Sequence, residues 1–193
     1  MPAENVVAIG SSTGGLVALK EILSQLPDKF DAAIVIVQHM PGFISKSIVN
    51  TLGEVTKHTV KLAEDGEVLT PGVIYLAPGG DKHLIVENRS IMLVDGEKVN
   101  FCRPSVDVMM NSVAEEFEER TIGVILTGMG HDGAMGIVKI KEHGGYTIAQ
   151  DKVTSAVFGM PGAAINTGKI DRVLPSYMIA PEFTSIIEQR TFT

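Results

Sequence analysis

Two short, uninterrupted aliphatic runs constrain the fold of this 193-residue chain more than any other feature of its sequence. They occupy residues 6–9 (VVAI) and 32–37 (AAIVIV). Continuous apolar runs of this length are typical of parallel strands that are covered on both faces. Leucines at three- and four-residue spacing between the two runs predict an amphipathic helix. Residues 6–37 therefore predict a strand–helix–strand unit with parallel strands and a right-handed crossover.

The rest of the chain repeats this alternation of strands and helices. It predicts a three-layer α/β fold with a mainly parallel, doubly wound, Rossmann-like sheet. No linker or internal repeat is evident, so we expect residues 1–193 to form a single domain. Runs 84–86 and 91–94 flank a turn and predict an antiparallel hairpin inside this sheet. Ser105 is placed to cap the next helix, with Asp107 in its first turn.

Composition and charge exclude several classes of function. The formal net charge is −7 and the pI is about 5.2, which argues against binding to nucleic acid or to an anionic membrane surface. A single cysteine allows no intrachain disulfide and favours a reducing compartment. The chain lacks a signal-peptide pattern and an apolar stretch of bilayer length. We therefore expect a cytoplasmic protein without membrane insertion.

Residues 10–14 spell G-x-S-x-G directly after the first predicted strand and before the first predicted helix, with Ser12 at the centre. In that context the pattern predicts a nucleophile elbow, a sharp turn that presents a serine hydroxyl. Glycines suit a turn in which a Cβ atom would clash. The amides at the following helix start favour negative charge, as an oxyanion would require. An ordinary glycine-rich turn is the alternative interpretation.

Two further polar residues follow predicted strands, His39 after the second and Asp132 after a later one. Ligands of such sheets bind beyond the carboxyl ends of the strands, where these side chains would meet Ser12. A histidine there can take the serine proton, and a carboxylate can orient the histidine. The order Ser, His, Asp differs from that of the usual α/β-hydrolases. A purely structural role for His39 remains open. No histidine pair has zinc-site spacing, so we expect no metal.

A rival motif lies between Gly128 and Gly133, where the chain reads G-x-G-x-x-G after a strand and before a helix. This is the fingerprint of a dinucleotide-binding turn, and Asp151 after the next strand stands near the expected ribose-binding position. A Rossmann domain normally opens with this fingerprint, whereas here it begins past residue 120. The residues alone leave this alternative open beside the esterase hypothesis.

Several spaced motifs resemble the catalytic domain of the chemotaxis methylesterase family, CheB. They occur in register along nearly the whole chain and read IGSSTGG (9–15), QHMP (38–41), AEDGE (63–67), APG (77–79), RPSVD (103–107), LTGMGHDGA (126–134), FGMP (158–161) and AIN (164–166). Six or more motifs in order are more specific than either short pattern. The resemblance favours the esterase hypothesis over the dinucleotide site.

The resemblance implies hydrolysis of glutamate γ-methyl esters on the cytoplasmic helices of methyl-accepting chemoreceptors, with glutamine deamidation as a further activity. It implies Ser12 as the nucleophile, His39 as the general base and Asp132 as the orienting acid. The backbone amides of Met129 and Thr13 would hold the oxyanion. No cofactor or metal is implied. An inactive receptor-binding module is a second alternative.

The sequence departs from the family pattern in three respects. His131 stands where the pattern usually has asparagine, and Cys102 stands where it usually has histidine. Neither position belongs to the proposed triad, but both could alter the pocket. Many family members also carry an N-terminal phosphorylatable receiver domain, and we expect none within residues 1–193. A receiver acting in cis or in trans is therefore an expected partner.

Overall fold

The computed structural model describes residues 1–191 and contains a seven-stranded, wholly parallel sheet in the order β3-β4-β2-β1-β7-β8-β9. The strands are β1 (Val6–Ser11), β2 (Ala33–Gln38), β3 (Thr59–Leu62), β4 (Val73–Leu76), β5 (His83–Glu87), β6 (Ser90–Val94), β7 (Thr121–Ile125), β8 (Tyr146–Gln150) and β9 (Arg172–Leu174). The helices are α1 (Gly15–Leu23), α2 (Ser45–Gly53), α3 (Val106–Phe117), α4 (Ala134–Glu142), α5 (Gly159–Asn166) and α6 (Ser176–Thr191). Short 3₁₀ turns occur at Gly42–Ile44 and Glu118–Arg120.

The core has two apolar layers, one on each face of this sheet. Along β1, Val6 and Ala8 pack with residues of α3, α4 and α5, whereas Val7 and Ile9 pack with residues of α1, α2 and α6. Every residue of β1 and β2 is buried. Successive side chains of a strand point to opposite faces, so a strand covered on both sides needs apolar residues at every position. The doubly wound α/β fold that the aliphatic runs predict is therefore confirmed.

Two details differ from the predictions. The hairpin of β5 and β6 forms its own two-stranded sheet, packed on α3, and does not lie inside the parallel sheet. The sequence also predicts a mostly helical stretch from Ser176 to Gln189 that Pro181 interrupts, whereas in the structure Pro181 lies within α6 and does not interrupt it. A proline frees the carbonyl four residues earlier, here that of Tyr177, and this residue is exposed enough for water to bond that carbonyl.

The chain leaves β1 and β7 in opposite directions, which opens a crevice at the carboxyl edge of the sheet. β1 leads through α1 to β2, and β7 leads through α4 to β8 on the other side. Because α1 and α4 cover opposite faces, the turns after β1 and β7 diverge around this crevice. Such switch points are where ligands of α/β sheets bind. No helix within the described residues is long and apolar enough to cross a bilayer.

Candidate active site

The turn that carries Ser12 joins β1 to α1 in three residues. Its bend occurs at Gly14, whose φ of 80° lies in the left-handed region, and a glycine adopts that conformation without strain. Ser12 itself is not left-handed, so the strain expected of a nucleophile elbow does not reside on the serine. The Ser12 amide donates to the Thr127 carbonyl at 3.0 Å. A Cβ on Gly128 would lie 2.8 Å from Ser12 Cβ, so glycine permits this close approach.

Gln38 fixes Ser12 and His39 on neighbouring strand ends. It pairs in register with Ser11, so Ser12 and His39 are the next residues along β1 and β2. The buried Gln38 side chain accepts a hydrogen bond from Ser11 Oγ at 2.6 Å. Its amide nitrogen donates to the carbonyls of Ser12 and His39, each at 3.0 Å. The motif at 38–41 contains Gln38 but does not predict this role, because a side chain that joins two strand ends leaves no periodic signal in the sequence.

His39 and Asp132, although 93 residues apart in sequence, meet at the carboxyl edge of the sheet, where His39 Nε2 lies 2.8 Å from Asp132 Oδ2. Their side chains are 15% and 2% exposed, respectively. The carboxylate accepts four more hydrogen bonds, from Asn100 Nδ2, Ser105 Oγ, Val106 N and Asp107 N. The last three donors belong to the N-terminus of α3, whose dipole favours a negative charge there. Asp132 is therefore positioned as a buried, oriented anion.

The pKa values of the neighbouring Asp132 and Asp107 carboxyl groups are shifted in opposite directions. Burial alone would raise the pKa of Asp132, but hydrogen bonds from His39 and from the α3 N-terminus hold it below the usual range. Burial is the largest influence on Asp107 and raises the pKa of that carboxyl. Asp132 is thus held in its ionised form by donors, and Asp107 is the less easily ionised of the two.

Asn100 bridges these two carboxylates and was not predicted from the sequence. Its Nδ2 donates to Asp107 Oδ2 at 2.7 Å and to Asp132 Oδ1 at 3.0 Å. Asn100 has a φ of 50°, a left-handed conformation that asparagine adopts more readily than most residues. Asp107 lies in the first turn of α3, as predicted, and also accepts a hydrogen bond from Gly136 N in the first turn of α4 at 2.7 Å.

The hydrogen bond to Asp132 determines which nitrogen of His39 is free. Because Nε2–H donates to the carboxylate, the neutral ring carries its lone pair on Nδ1. In the usual serine triad these two nitrogens have the opposite roles. No hydrogen bond joins Ser12 Oγ to His39 among the described residues. Both residues line a cavity of about 350 Å³, and apo geometries of this kind commonly tighten when substrate binds.

Two backbone amides beside Ser12 have no acceptor within the described part of the protein. They belong to Thr13, directly after Ser12, and to Met129, directly after Gly128, which packs on Ser12. Both residues are exposed to solvent, and the Met129 side chain is 72% exposed. Free amides at such a turn can donate to an anionic oxygen. These are the two amides that the resemblance implies for the oxyanion.

The polar groups of the rival dinucleotide motif are already hydrogen-bonded to other groups of the protein. Asp132 is bound by five donors, and the α4 amide of Gly136 is occupied by Asp107. Asp151, the expected ribose ligand, accepts from the amide and the hydroxyl of Thr154. A phosphate at this helix start would have to displace an internal carboxylate. The geometry therefore indicates that this loop positions Asp132 towards His39 and does not bind a nucleotide.

One group of side chains in the described residues has the composition of a metal site. Ligand atoms of His39, Cys102 and Asp132 lie within 4.8 Å of one another. Cys102 Sγ is 3.7 Å from His39 Nδ1. The spacing of histidines along the chain gave no sign of this group, because its three ligands come from separate loops.

A serine, a histidine and a buried aspartate at the carboxyl edge of a doubly wound sheet have the layout of a serine hydrolase. A family model described as CheB methylesterase matches residues 7–183. The chain belongs to the CheB methylesterase family.

Relatives and a solved structure agree with this assignment. The chain is 45% identical to a protein-glutamate methylesterase/protein-glutamine glutaminase of Pyrococcus horikoshii, covering 97% of this chain and 52% of the relative. It is 48% identical to one of Carboxydothermus hydrogenoformans, with coverages of 94% and 55%. The crystal structure of the Thermotoga maritima CheB methylesterase catalytic domain superposes with a TM-score of 0.91 at 46% identity, covering 94% of this chain and 98% of that one. The chain thus spans about half the length of the curated relatives it matches.

Proposed function

We propose that this chain hydrolyses glutamate γ-methyl esters on the cytoplasmic helices of methyl-accepting chemoreceptors and deamidates glutamine at the same site. The observation that carries the proposal is the adjacency of Ser12 and His39 on neighbouring strand ends, with His39 Nε2 2.8 Å from Asp132. Matched relatives are named protein-glutamate methylesterase/protein-glutamine glutaminase, which supports both reactions. Such a substrate implies that the chain acts in the cytoplasm. The resemblance also suggests control by a receiver domain in cis or in trans.

The proposed reaction has two acyl-transfer steps. His39 Nδ1 takes the proton of Ser12 Oγ while that oxygen attacks the ester carbonyl carbon. The amides of Thr13 and Met129 hold the resulting oxyanion, and Asp132 stabilises the imidazolium. The carbon–oxygen bond to the methoxy group breaks, and His39 returns the proton to release methanol. Water then attacks the acyl-enzyme with His39 again as base, which frees glutamate and Ser12. For glutamine the leaving group is ammonia.

Exposed apolar side chains near the cavities support a protein substrate. Val17 and Phe101 line the cavities on either side of His39 and are 75% and 91% exposed. Phe43, in the 3₁₀ turn after β2, is 88% exposed. Apolar side chains that surround a site in this way are typical of surfaces that receive the apolar face of a helix.

Release of methanol from methylated receptor tests the proposal. Ser12→Ala should lower kcat by about 10⁴–10⁶-fold, because the nucleophile is removed. Ser47→Ala, at an exposed position of α2, is the matched control and should retain full activity. A serine-directed phosphonate should label the parent chain at Ser12. Wild-type methanol release by Ser12→Ala would show that the nucleophile lies elsewhere. Receptor binding without turnover by the parent chain would identify an inactive binding module.

A further inference from the structure

Cys102 faces the free nitrogen of His39. It is the only cysteine of the chain and lies in a tight turn in which Val99 and Cys102 exchange backbone hydrogen bonds. Its sulfur is 3.7 Å from His39 Nδ1 and 3.3 Å from the Asn100 carbonyl. Both His39 and Cys102 line a cavity of about 360 Å³ that opens to solvent. The proposed hydrolysis assigns no role to this thiol.

The spacing of these two atoms suits a single divalent cation. Zinc binds histidine nitrogen at about 2.0–2.1 Å and thiolate sulfur at about 2.3 Å, so a tetrahedral ion separates the two ligand atoms by about 3.6 Å. The observed distance between Nδ1 and Sγ is 3.7 Å. A cation can therefore bridge them with almost no movement of either side chain. Waters from the cavity can complete its coordination.

Asp132 supports a cation at this position in two ways. Metal-binding histidines usually donate their other ring N–H to a carboxylate, which fixes the tautomer and raises the basicity of the ligand nitrogen. His39 makes this contact through Nε2, leaving Nδ1 as the ligand atom. The carboxylate is also a buried negative charge in the same cluster, which lies next to the ring and the thiol. This negative charge attracts a divalent cation to the site and repels a free anion from solution.

We propose that His39 Nδ1 and the Cys102 thiolate form a binding site for a thiophilic divalent cation such as Zn²⁺. Binding displaces the thiol proton to solvent, since only the thiolate is an effective ligand. The bound cation occupies the nitrogen that takes the Ser12 proton. If the proposed function holds, the cation is a reversible inhibitor of hydrolysis.

Direct binding to the full chain, first freed of metal with a chelator, tests the site without an activity assay. Zn²⁺ titrated against a chromophoric chelator should bind with one equivalent per chain. Co²⁺ should give a thiolate-to-cobalt charge-transfer band in the near ultraviolet. Loss of an outer-shell partner alone weakens metal affinity by about 10–100-fold, so removal of the thiolate in Cys102→Ser should weaken it by at least about 100-fold. His39→Gln should weaken binding similarly.

The matched control is His131→Gln, which removes an exposed imidazole adjacent to Asp132 and should leave Zn²⁺ affinity unchanged. Zn²⁺ should also protect Cys102 from a thiol-alkylating reagent. Equal affinity in Cys102→Ser, retention of affinity in His39→Gln, or a missing charge-transfer band would each overturn the site. Its failure would leave the proposed hydrolysis untouched, because the Ser12→Ala assay contains no metal.

Discussion

The two ends of the candidate triad are built in opposite ways. At the acid end, Asp132 is 2% exposed and accepts five hydrogen bonds from three segments of the chain. At the nucleophile end, Ser12 is half-buried, its hydroxyl has no partner among the described residues, and the nearby amides of Thr13 and Met129 are free. Folding supplies the hydrogen-bond partners of the acid end, whereas the groups at the nucleophile end are available to a ligand.

This difference indicates where stability and activity separate. A buried polar group with all its partners contributes to stability, and removing it leaves those partners unsatisfied. A free donor at the surface costs little and can be used by a reacting oxygen. Changes at the acid end should therefore affect both folding and turnover. Changes at the nucleophile end should affect turnover alone.

The largest expected effect comes from Asp132→Asn. The variant should lose about 10⁴-fold in kcat, because the charge that stabilises the imidazolium is gone. It should also lose about 1–3 kcal/mol in the free energy of unfolding, because the new NH₂ group must face donors of the old carboxylate. Ser12→Ala should lose comparable activity yet stay within about 0.5 kcal/mol of the parent. Urea unfolding and methanol release measure the two quantities.

Asp95→Asn, at an exposed position, is the control for the acid-end variant and should change neither quantity. If Ser12→Ala proved as destabilising as Asp132→Asn, the contrast between the two ends would be wrong. Equal stability of Asp132→Asn and the parent would likewise contradict it.

A smaller effect is expected at Met129, where the backbone amide and the side chain can be tested separately. Met129→Pro removes the N–H and should lower kcat by about 10²–10³-fold, the usual loss for one oxyanion donor. Met129→Ala keeps the amide and truncates an exposed side chain, so activity should remain within a few-fold of the parent. Steady-state kinetics on a small glutamyl methyl ester reports both, with thermal unfolding to verify folding. A large loss in Met129→Ala would assign the role to the side chain.

The smallest expected effect is the pH dependence of stability. The folded pKa of Asp132 lies below 3.8, the ordinary value for aspartate. The unfolded chain therefore binds this proton more readily than the folded chain. The stability from the ionised carboxylate is fully present well above pH 3.8 and is lost as the pH falls through the folded pKa.

The measurement is the difference in unfolding free energy between the parent and Asp132→Asn. It should be constant near neutrality and shrink below about pH 4, around the ordinary aspartate pKa. A difference that grew on acidification would mean that the folded pKa of Asp132 is raised, and that its five donors do not stabilise the charge.

Much of the fold could be predicted because it depends on local patterns. The run at 32–37 became β2, and Ser105 caps α3 by accepting a hydrogen bond from Val108 N. The hairpin was predicted correctly, but its position outside the main sheet was not. Pairing within a hairpin is a short-range property, whereas the layer on which it packs depends on α3, which lies later in the chain.

Motifs predicted the candidate site residues, but they did not predict the contacts that those residues make. Ser12, His39 and Asp132 follow predicted strands, and strand ends of a parallel sheet share one edge. Gln38, Asn100 and Cys102 act through contacts between segments 26 to 63 residues apart. No periodicity encodes such contacts. The hydrogen bond from Gly136 to Asp107 was missed for the same reason, because it joins two helices across 29 residues of sequence.

The sequence by itself determined the layers of this protein and the strand ends that carry the candidate serine, histidine and aspartate. It did so because burial of one helix face leaves an apolar repeat of about 3.6 residues, and burial of both strand faces leaves an uninterrupted apolar run. Tertiary structure alone decided that Nε2 of His39 faces the carboxylate and that Nδ1 faces the thiol. Those choices depend on loops that approach through space, and their relative placement is fixed only when the whole core packs.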